Sequence, residues 1–266
     1  MNFSISEIRE IVETIQVYDN MDYGGYGISF LKRRFAKVFD THNIRKTVQF
    51  YELLKDESMR DRIAGEMFVD STEMFRDPAF WRFVRDNVLH QLTGAGDTIW
   101  LPNEAGGEEA WSFSILIHEQ NIADRLSIVC SNPSTSRCNV IGSGAVDANQ
   151  FELNYSNYKR LEDKDDFETY FVKDAHTHTV TEWLRSSVCC RALDYASAIA
   201  DEKICMIASR NQALYFGHDL MEHYYNTLYD RLSAGGYLAI GVKEQLPASV
   251  AEKMTVVSET EKVYRK

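Results

Sequence analysis

The sequence has few prolines and cysteines and no long hydrophobic run. Its 266 residues include 4 Pro and 5 Cys. The odd number of cysteines and the lack of a C-x-x-C pair argue against a disulfide framework or a zinc ribbon and favour a reducing, cytoplasmic setting. The longest apolar runs, at 111–117 and 237–242, fall far short of the roughly 20 residues that span a bilayer. We therefore expect no direct membrane insertion.

Basic residues are also in the minority. The chain has 29 Lys and Arg against 40 Asp and Glu, and its formal net charge is −11. Duplex nucleic-acid binding usually depends on an excess of positive charge, so we expect no nucleic-acid partner. A hydrophobic content of 44% is enough for one main core and a small helical domain beside it.

In the first 92 residues, apolar residues recur with the spacing of amphipathic helices. Ser4 and Glu7 form a capping-box pattern, and an apolar stripe follows it at Ile8, Ile11, Val12 and Ile15. A second helix is predicted with apolar residues inside (Phe30, Leu31, Phe35, Val38) and a basic run outside (Lys32, Arg33, Arg34, Lys37). Further helices are predicted near 44–54, 59–67 and 78–92, the last with Asp77 as its N-cap. We predict a helical N-terminal domain over residues 1–92.

The remainder, residues 93–266, alternates between strand and helix patterns. Strands are predicted at 98–101, 126–130, 203–208 and 237–242, and helices at 108–119 and 219–232. Such alternation indicates an α/β domain with a mainly parallel sheet. An alternating, Thr- and Val-rich stretch at 171–188 predicts an antiparallel β-subdomain, at about 168–188. A last strand is predicted at 254–264.

Ligands of open α/β sheets bind outside the carboxyl ends of the strands. This rule selects the segments 102–109, 131–134 and 209–216. The first contains Glu104, Glu108 and Glu109, and so many carboxylates disfavour a pyrophosphate ligand such as NAD or ATP. A cationic or polyhydroxy ligand fits this loop better. We interpret His176 and His178 as part of a solvent-facing strand and predict no metal site.

Four motifs, taken in order, resemble one known family, the chemotaxis receptor methyltransferases (CheR). They are Phe75-Arg76-Asp77-Pro78, Trp100 with Gly107-Glu108-Glu109, Ser209-Arg210-Asn211 with Leu214-Tyr215-Phe216, and Leu232-x-x-Gly235-Gly236-Tyr237-Leu238. The resemblance covers nearly the whole chain. It implies a Rossmann-like S-adenosylmethionine (SAM) domain with a small inserted antiparallel β-subdomain, preceded by a helical domain. It also implies methyl esterification of glutamate side chains on the cytoplasmic helices of chemoreceptors, with SAM as cofactor.

The resemblance assigns roles by position. The cofactor-binding positions are Asp70, Thr72, Arg76, Glu108, Asn132, Cys189, Cys190, Arg210 and Asn211. The positions assigned to catalysis are Tyr215 and Arg76. Asn132 stands where the family has a ribose-binding acid. If Asn132 faces the ribose, Asn132→Asp should tighten cofactor binding about tenfold, because a charged hydrogen bond is the stronger one.

The basic run Lys32, Arg33, Arg34 and Lys37 is predicted to dock an acidic helical segment of a protein substrate, such as a chemoreceptor. Simpler interpretations stay open for single residues: Arg76 can pair with Asp77, and Tyr215 can be ordinary core. A second function class also stays open. In it, the chain is a weakened or inactive relative that binds SAM, S-adenosylhomocysteine (SAH) or a protein within a signalling assembly.

Overall fold

The first part of the chain forms five helices, which we call the helical module. The computed structural model describes residues 3–18, 22–68, 73–92, 94, 96–162, 166–173, 177–197 and 202–266. The helices are α1 (Ile5–Tyr18), α2 (Ile28–Thr41), α3 (Thr47–Leu53), α4 (Glu57–Met67) and α5 (Pro78–Asn87). The predicted capping box is present at the start of α1. The Ser4 N–H donates to the Glu7 carboxylate at 2.8 Å, and the Glu7 N–H donates to Ser4 Oγ at 3.1 Å.

The α2 helix separates apolar from basic residues as predicted, with one exception. Its apolar side chains are buried: Phe30, Leu31, Phe35 and Val38. Arg34 was expected on the exposed side with the other basic residues but is buried as well. Its guanidinium donates to the backbone carbonyls of Glu66 and Phe68, at the end of α4. The exposed basic surface of α2 therefore consists of Arg33 and Lys37 with the half-buried Lys32 beside them, and Arg34 joins two helices.

The second part of the chain alternates between strands and helices. The helices are α6 (Glu108–Glu119), α7 (Thr135–Ser143), α8 (Phe151–Lys159), α9 (Glu182–Ser186), α10 (His218–Arg231) and α11 (Ala248–Ala251). The strands are β1 (Asp97–Leu101), β2 (Leu126–Asn132), β3 (Ala145–Asp147), β4 (Phe171–Lys173), β5 (Thr177–Val180), β6 (Val188–Ala192), β7 (Lys203–Ser209), β8 (Tyr237–Ile240), β9 (Thr255–Ser258) and β10 (Val263–Arg265). No helix of the described chain is long and apolar enough to cross a bilayer.

Seven of the strands form the central sheet, in the order β6-β2-β1-β7-β8-β10-β9. Neighbouring strands are parallel except around β10, which is antiparallel to β8 and β9. Every residue of β1 is buried. Ile99 and Leu101 belong to one hydrophobic core, which includes α6, and Trp100 belongs to another, which includes α10. Helices therefore cover both faces, and the predicted Rossmann-like α/β fold is confirmed.

The small sheet and the C-terminal strands differ in detail from the sequence-based expectation. The second sheet has the order β3-β5-β4 and is antiparallel. It takes β4 and β5 from the predicted stretch and adds β3 from upstream. Val188, which was expected in the same stretch, begins β6 instead and pairs in parallel with β2. The expected last strand is a hairpin of β9 and β10, and Lys262 in its turn has a left-handed φ of 53°.

Helix α5 of the helical module packs in one core with β1 and α6, and two further sets of hydrogen bonds connect the module to the carboxyl edge of the central sheet. The Asp61 carboxylate on α4 accepts hydrogen bonds from the Thr135 and Ser136 N–H groups at the start of α7, at 2.6 and 2.8 Å. The Gly27 N–H donates to the Tyr215 carbonyl at 2.8 Å. These contacts bracket a pocket between the two parts of the chain.

Candidate functional site

The pocket lies outside the carboxyl ends of β1 and β7. The chain runs from β1 through α6 to β2 on one side, whereas β7 lies on the other side, so this is the topological switch point where α/β sheets bind ligands. The pocket is an open cleft lined by the loop after β1, the segment after β7 and aromatic residues of the helical module. Arg76, Arg210, Asn211 and Tyr215 all line it. The structure thus brings four of the residues selected from the sequence to one place.

Arg210 is the buried centre of a charge network in this pocket. Its side chain is 0% exposed, and it pairs with Asp77 and Glu109, each at 2.6 Å. Its guanidinium also lies over the Phe80 ring, 4.1 Å from the centroid. Asp77 was expected to cap α5 with its side chain. It instead has a left-handed φ of 57° and makes no cap bond, because its carboxylate turns to Arg210.

Glu244 fixes the segment that carries Asn211. Its buried carboxylate accepts backbone N–H bonds from Gly241 at 2.6 Å and from Asn211 and Ala213 at 2.7 Å each. A Cβ atom at Gly241 would lie 2.6 Å from Asn211 Oδ1, so this close approach requires glycine. Asn211 itself has a positive φ of 61°. The segment after β7 is therefore held in one conformation before any ligand is present.

Glu104, at the start of the loop after β1, is a buried carboxyl group in the pocket wall. It is 4% exposed. Its Oε1 accepts the Gly107 N–H at 2.9 Å and the Gly106 N–H at 3.4 Å. Burial raises the pKa of Glu104 to about 8, the nearby carboxylates of Glu109 and Glu108 add to this rise, and the two amides oppose it. Burial also raises the pKa of Glu109, against the effect of Arg210.

We expect Glu104 to make the folded protein less stable as the pH rises from about 5 to 8. In the unfolded chain a glutamate loses its proton near pH 4.3, whereas the folded state keeps this proton up to about pH 8. Folding then takes up a proton, which lowers the free energy of unfolding by up to about 1.4 kcal/mol per pH unit in this window. In urea unfolding across this range, Glu104→Gln should flatten the profile. A slope equal to that of the exposed control Glu252→Gln would contradict this.

Among the described residues, some that are assigned by resemblance do not line the pocket. Asp70 and Thr72, also assigned by resemblance, lie outside the described residues, as does His176 of the predicted strand. Asn132 is fully buried, its Oδ1 accepts the Ser134 N–H, and its Nδ2 donates to the Glu104 carbonyl, both at 2.9 Å. The amide group of Asn132 thus already bonds protein groups with both its oxygen and its nitrogen.

Glu108 and the two cysteines also lie beside the pocket. The Glu108 carboxylate lies over Gly106, where a Cβ atom would collide with it. Cys189 is exposed on β6 and lines another cleft with Arg191 and Glu202. Cys190 packs toward α7, with its Sγ 2.7 Å from Cys138 Sγ. The sequence positions of these residues are near the sheet edge, but their side chains point elsewhere.

The aromatic wall of the pocket is the part that sequence reasoning missed. Tyr215 stacks on Phe30 of α2, with ring centroids 4.5 Å apart. Tyr26 stacks on the same Phe30 at 5.5 Å and pairs with Phe216 through an isolated antiparallel bridge. In the sequence, Phe30 counts only as an inward residue of a helix. The Gly27 N–H bonds the Tyr215 carbonyl, but a Cβ atom at Gly27 would lie at an ordinary 3.5 Å from that oxygen, so this glycine gave no signal of the contact.

Comparisons with known proteins agree with this architecture. Residues 70–263 match the family model described as CheR methyltransferase, SAM binding domain. The chain is 23% identical over 263 residues to a Pseudomonas putida protein, Cher3, named as a proposed methyltransferase, and the match covers 98% of this chain and 96% of that protein. It is 24% identical over 227 residues to chemotaxis protein methyltransferase 1 of Pseudomonas aeruginosa, and the match covers 80% of each chain.

Among solved structures, the N-methyltransferase NodS of Bradyrhizobium japonicum in complex with SAH aligns with a TM-score of 0.38 and 11% identity, covering 74% of this chain and 89% of that one. The match to the family model spans well over half of the chain and includes the strands and loops that form the pocket. The chain therefore belongs to the CheR methyltransferase family and, as a member of that family, is a SAM-dependent methyltransferase.

Proposed function

We propose that the protein transfers a methyl group from SAM to glutamate carboxylates on an acidic helical segment of a protein partner, such as a chemoreceptor. The observation that carries the proposal is the convergence of Arg76, Arg210-Asn211 and Tyr215 on one pocket at the switch point. Family membership supports the cofactor and the transfer. The glutamate ester and the partner are the proposed part.

The pocket is chemically suited to SAM. It is a cleft that combines aromatic side chains with a few polar and charged groups, as small-molecule and cofactor sites do. SAM carries a carboxylate, an ammonium and a sulfonium, and the pocket offers a guanidinium (Arg76) together with three acidic groups (Glu73, Glu104 and Glu109). The aromatic wall offers apolar surface to an adenine ring. Arg76 would hold the carboxylate, and the acidic groups would face the cationic part.

Methyl transfer to a carboxylate needs positioning more than proton transfer. When bound, SAM supplies an electrophilic methyl group on a positively charged sulfur. A glutamate with a pKa of about 4.3 is already ionised near neutral pH, so the protein needs no general base. Holding two reactants in line can lower the barrier by roughly 7–11 kcal/mol. Tyr215, fixed by its stacking on Phe30, is proposed to form the wall against which the target carboxylate is aligned.

The proposed docking surface is the exposed basic surface of α2, formed by Arg33 and Lys37 with the half-buried Lys32 beside them. The same helix contributes Phe30 to the pocket wall, so a segment bound along α2 would pass close to the cofactor site. Positive charge on one helix surface of a chain with a net charge of −11 favours an acidic partner.

Reversing two of these charges should weaken binding of the partner and leave binding of the cofactor unchanged. For Arg33→Glu with Lys37→Glu, we expect binding of an acidic helical peptide to fall at least tenfold at low salt, with a smaller difference at high salt. SAH affinity should stay unchanged. The matched control is Arg125→Glu with Lys253→Glu, which reverses two exposed charges elsewhere. Equal peptide affinity in both double variants would remove α2 as the docking surface.

The reaction is tested with methyl-labelled SAM and synthetic acidic helical peptides that carry either Glu or Gln at the target positions. Carboxyl methyl esters hydrolyse in mild alkali and release volatile labelled methanol, whereas N-methyl groups do not. We expect alkali-labile label on the Glu peptides alone. Label that resists alkali, or equal label on the Gln peptides, would contradict glutamate esterification.

A second function, that of a binding module without turnover, is favoured by one observation. Asn132 replaces the family's ribose-binding acid, and its amide is already bonded to Ser134 and Glu104. A SAH titration and the transfer assay separate the two functions. SAH binding together with label transfer supports the enzyme, and SAH binding with no transfer to any Glu peptide supports the module.

A further inference from the structure

Glu104 differs from the two carboxylates that bind Arg210 in its lack of a cationic partner. Glu73, which also lines the pocket, accepts a hydrogen bond from Asn157 Nδ2 at 2.8 Å. Glu109 and Asp77 share the buried guanidinium of Arg210, each at 2.6 Å. Within the described residues, no ion pair includes Glu104. The groups that act on it are the carboxylates of Glu108 and Glu109 and the amides of Gly106 and Gly107.

The Glu104 carboxyl group is held in place, which distinguishes it from a mobile surface charge. Two N–H groups of the loop bind its Oε1, and only 4% of the residue is exposed. These are the same loop amides that would otherwise be available to an anionic ligand group. Because Glu104 already uses them, these two amides are not free to bind an anionic group of a ligand.

We propose that Glu104 makes the pocket select the positively charged sulfonium of SAM over the neutral thioether of SAH. The inference rests on SAM being the ligand of this pocket. Loss of the methyl group leaves the electron pair on sulfur, so the product carries one positive charge less than the cofactor. The product thereby loses its attraction to Glu104, which favours its replacement by fresh cofactor.

Proton linkage gives the proposal a direct signature. Since the pKa of the Glu104 carboxyl is raised to about 8, this group is mostly protonated in the free protein at pH 7. A bound sulfonium favours the carboxylate, so binding expels the proton. Other charged groups around the loop and the pocket are Glu73, Glu108, Glu109, Arg76, Asp77 and Arg210, and the Cys190 thiol lies close enough to interact electrostatically with Glu104. These groups surround SAM and SAH equally, so the difference between the two ligands lies in the charge on sulfur.

The test is isothermal titration of SAM and SAH into the full chain, in buffers of different ionisation enthalpy and from pH 6 to 8. For the wild type at pH 7 we expect SAM to release most of one proton and SAH clearly less, and the ratio of SAM to SAH affinity to rise with pH. In Glu104→Gln the proton release should disappear and the ratio should fall about tenfold. Glu252→Gln removes an exposed charge outside the pocket lining. This control should retain the proton release and the affinity ratio of the wild type.

The possible outcomes distinguish the role proposed for Glu104 from the proposal that this pocket binds SAM. If both ligands bind the wild type with equal proton release, or if Glu104→Gln leaves the affinity ratio unchanged, the role of Glu104 is refuted while the cofactor site stands. If neither ligand binds the wild type, the cofactor site fails and the inference fails with it. The proton release of the wild type needs no variant, so the test does not depend on how Glu104→Gln folds.

Discussion

Arg210→Met should lower the free energy of unfolding by about 3–5 kcal/mol. Its guanidinium is fully buried and neutralises two carboxylates, those of Asp77 and Glu109. Methionine of similar length fills the space beside Phe80 but leaves Glu109 buried without its ion-pair partner, and removing one partner of a buried ion pair has a cost of this size. Urea unfolding at pH 7 measures the loss.

The pH dependence and a matched variant check the cause of this loss. At pH 5 the stranded Glu109 takes up a proton more readily, so we expect the destabilisation by Arg210→Met to shrink there. The control is Arg125→Met, because Arg125 is half-exposed and its pair with Asp124 is 4.0 Å long. We expect a change of less than about 0.5 kcal/mol for the control. An Arg210→Met loss as small as this would mean that the network does not stabilise the fold.

Asn132→Asp should destabilise the protein by about 2–3 kcal/mol and should not tighten the cofactor. The sequence alone predicts tighter binding, on the assumption that residue 132 faces the ribose. In the structure, Asn132 Nδ2 donates to the Glu104 carbonyl at 2.9 Å. A carboxylate cannot make this bond, and it would place a buried negative charge against a carbonyl oxygen. Urea unfolding and SAH titration test the two effects separately.

The same substitution has an internal check in its pH profile. Once protonated, the carboxyl group introduced by Asn132→Asp could donate its O–H to the Glu104 carbonyl, so the loss should be smaller at pH 5 than at pH 8. Ser127→Asp adds a negative charge at an exposed position of the same strand and should change stability little at either pH. If Asn132→Asp instead tightens SAH about tenfold without loss of stability, residue 132 faces the ligand after all.

Much of the fold was predictable because the spacing of apolar residues along the sequence indicates which side chains are buried. The stripes of α1 and α2 and the apolar runs of β1 and β7 all face a core, as expected. Where the pattern was wrong, the element is short or at an edge. β6 is a half-exposed edge strand, and its alternation looks the same whether it pairs in parallel or antiparallel. Arg34 looked like a surface residue because no local pattern shows that two carbonyls at the end of α4 need a donor.

The site was predictable in position and only partly in chemistry. Loops converge at the ends of the strands, and Arg76, Arg210, Asn211 and Tyr215 line one pocket there. The partners of a polar side chain depend on tertiary contacts that a sequence does not display. Arg210 is occupied by Asp77 and Glu109, and Asn132 by Ser134 and Glu104. Glu104 was noticed only as one of three acidic residues, because its isolation from cations exists only in the folded chain.

The bond from Asp61 to α7 has a consequence for how the two parts of the chain come apart. The Thr135 and Ser136 amides at the start of α7 are covered by a carboxylate that belongs to the helical module. The N-cap residue of α7, Ser134, accepts the Arg137 N–H with its hydroxyl oxygen. Detaching the module would leave two helix-end donors without their acceptor, so undocking and fraying of α7 are one event. Hydrogen exchange at these two amides therefore reports how often the cleft opens, and a fragment starting at β1 would already be frayed there.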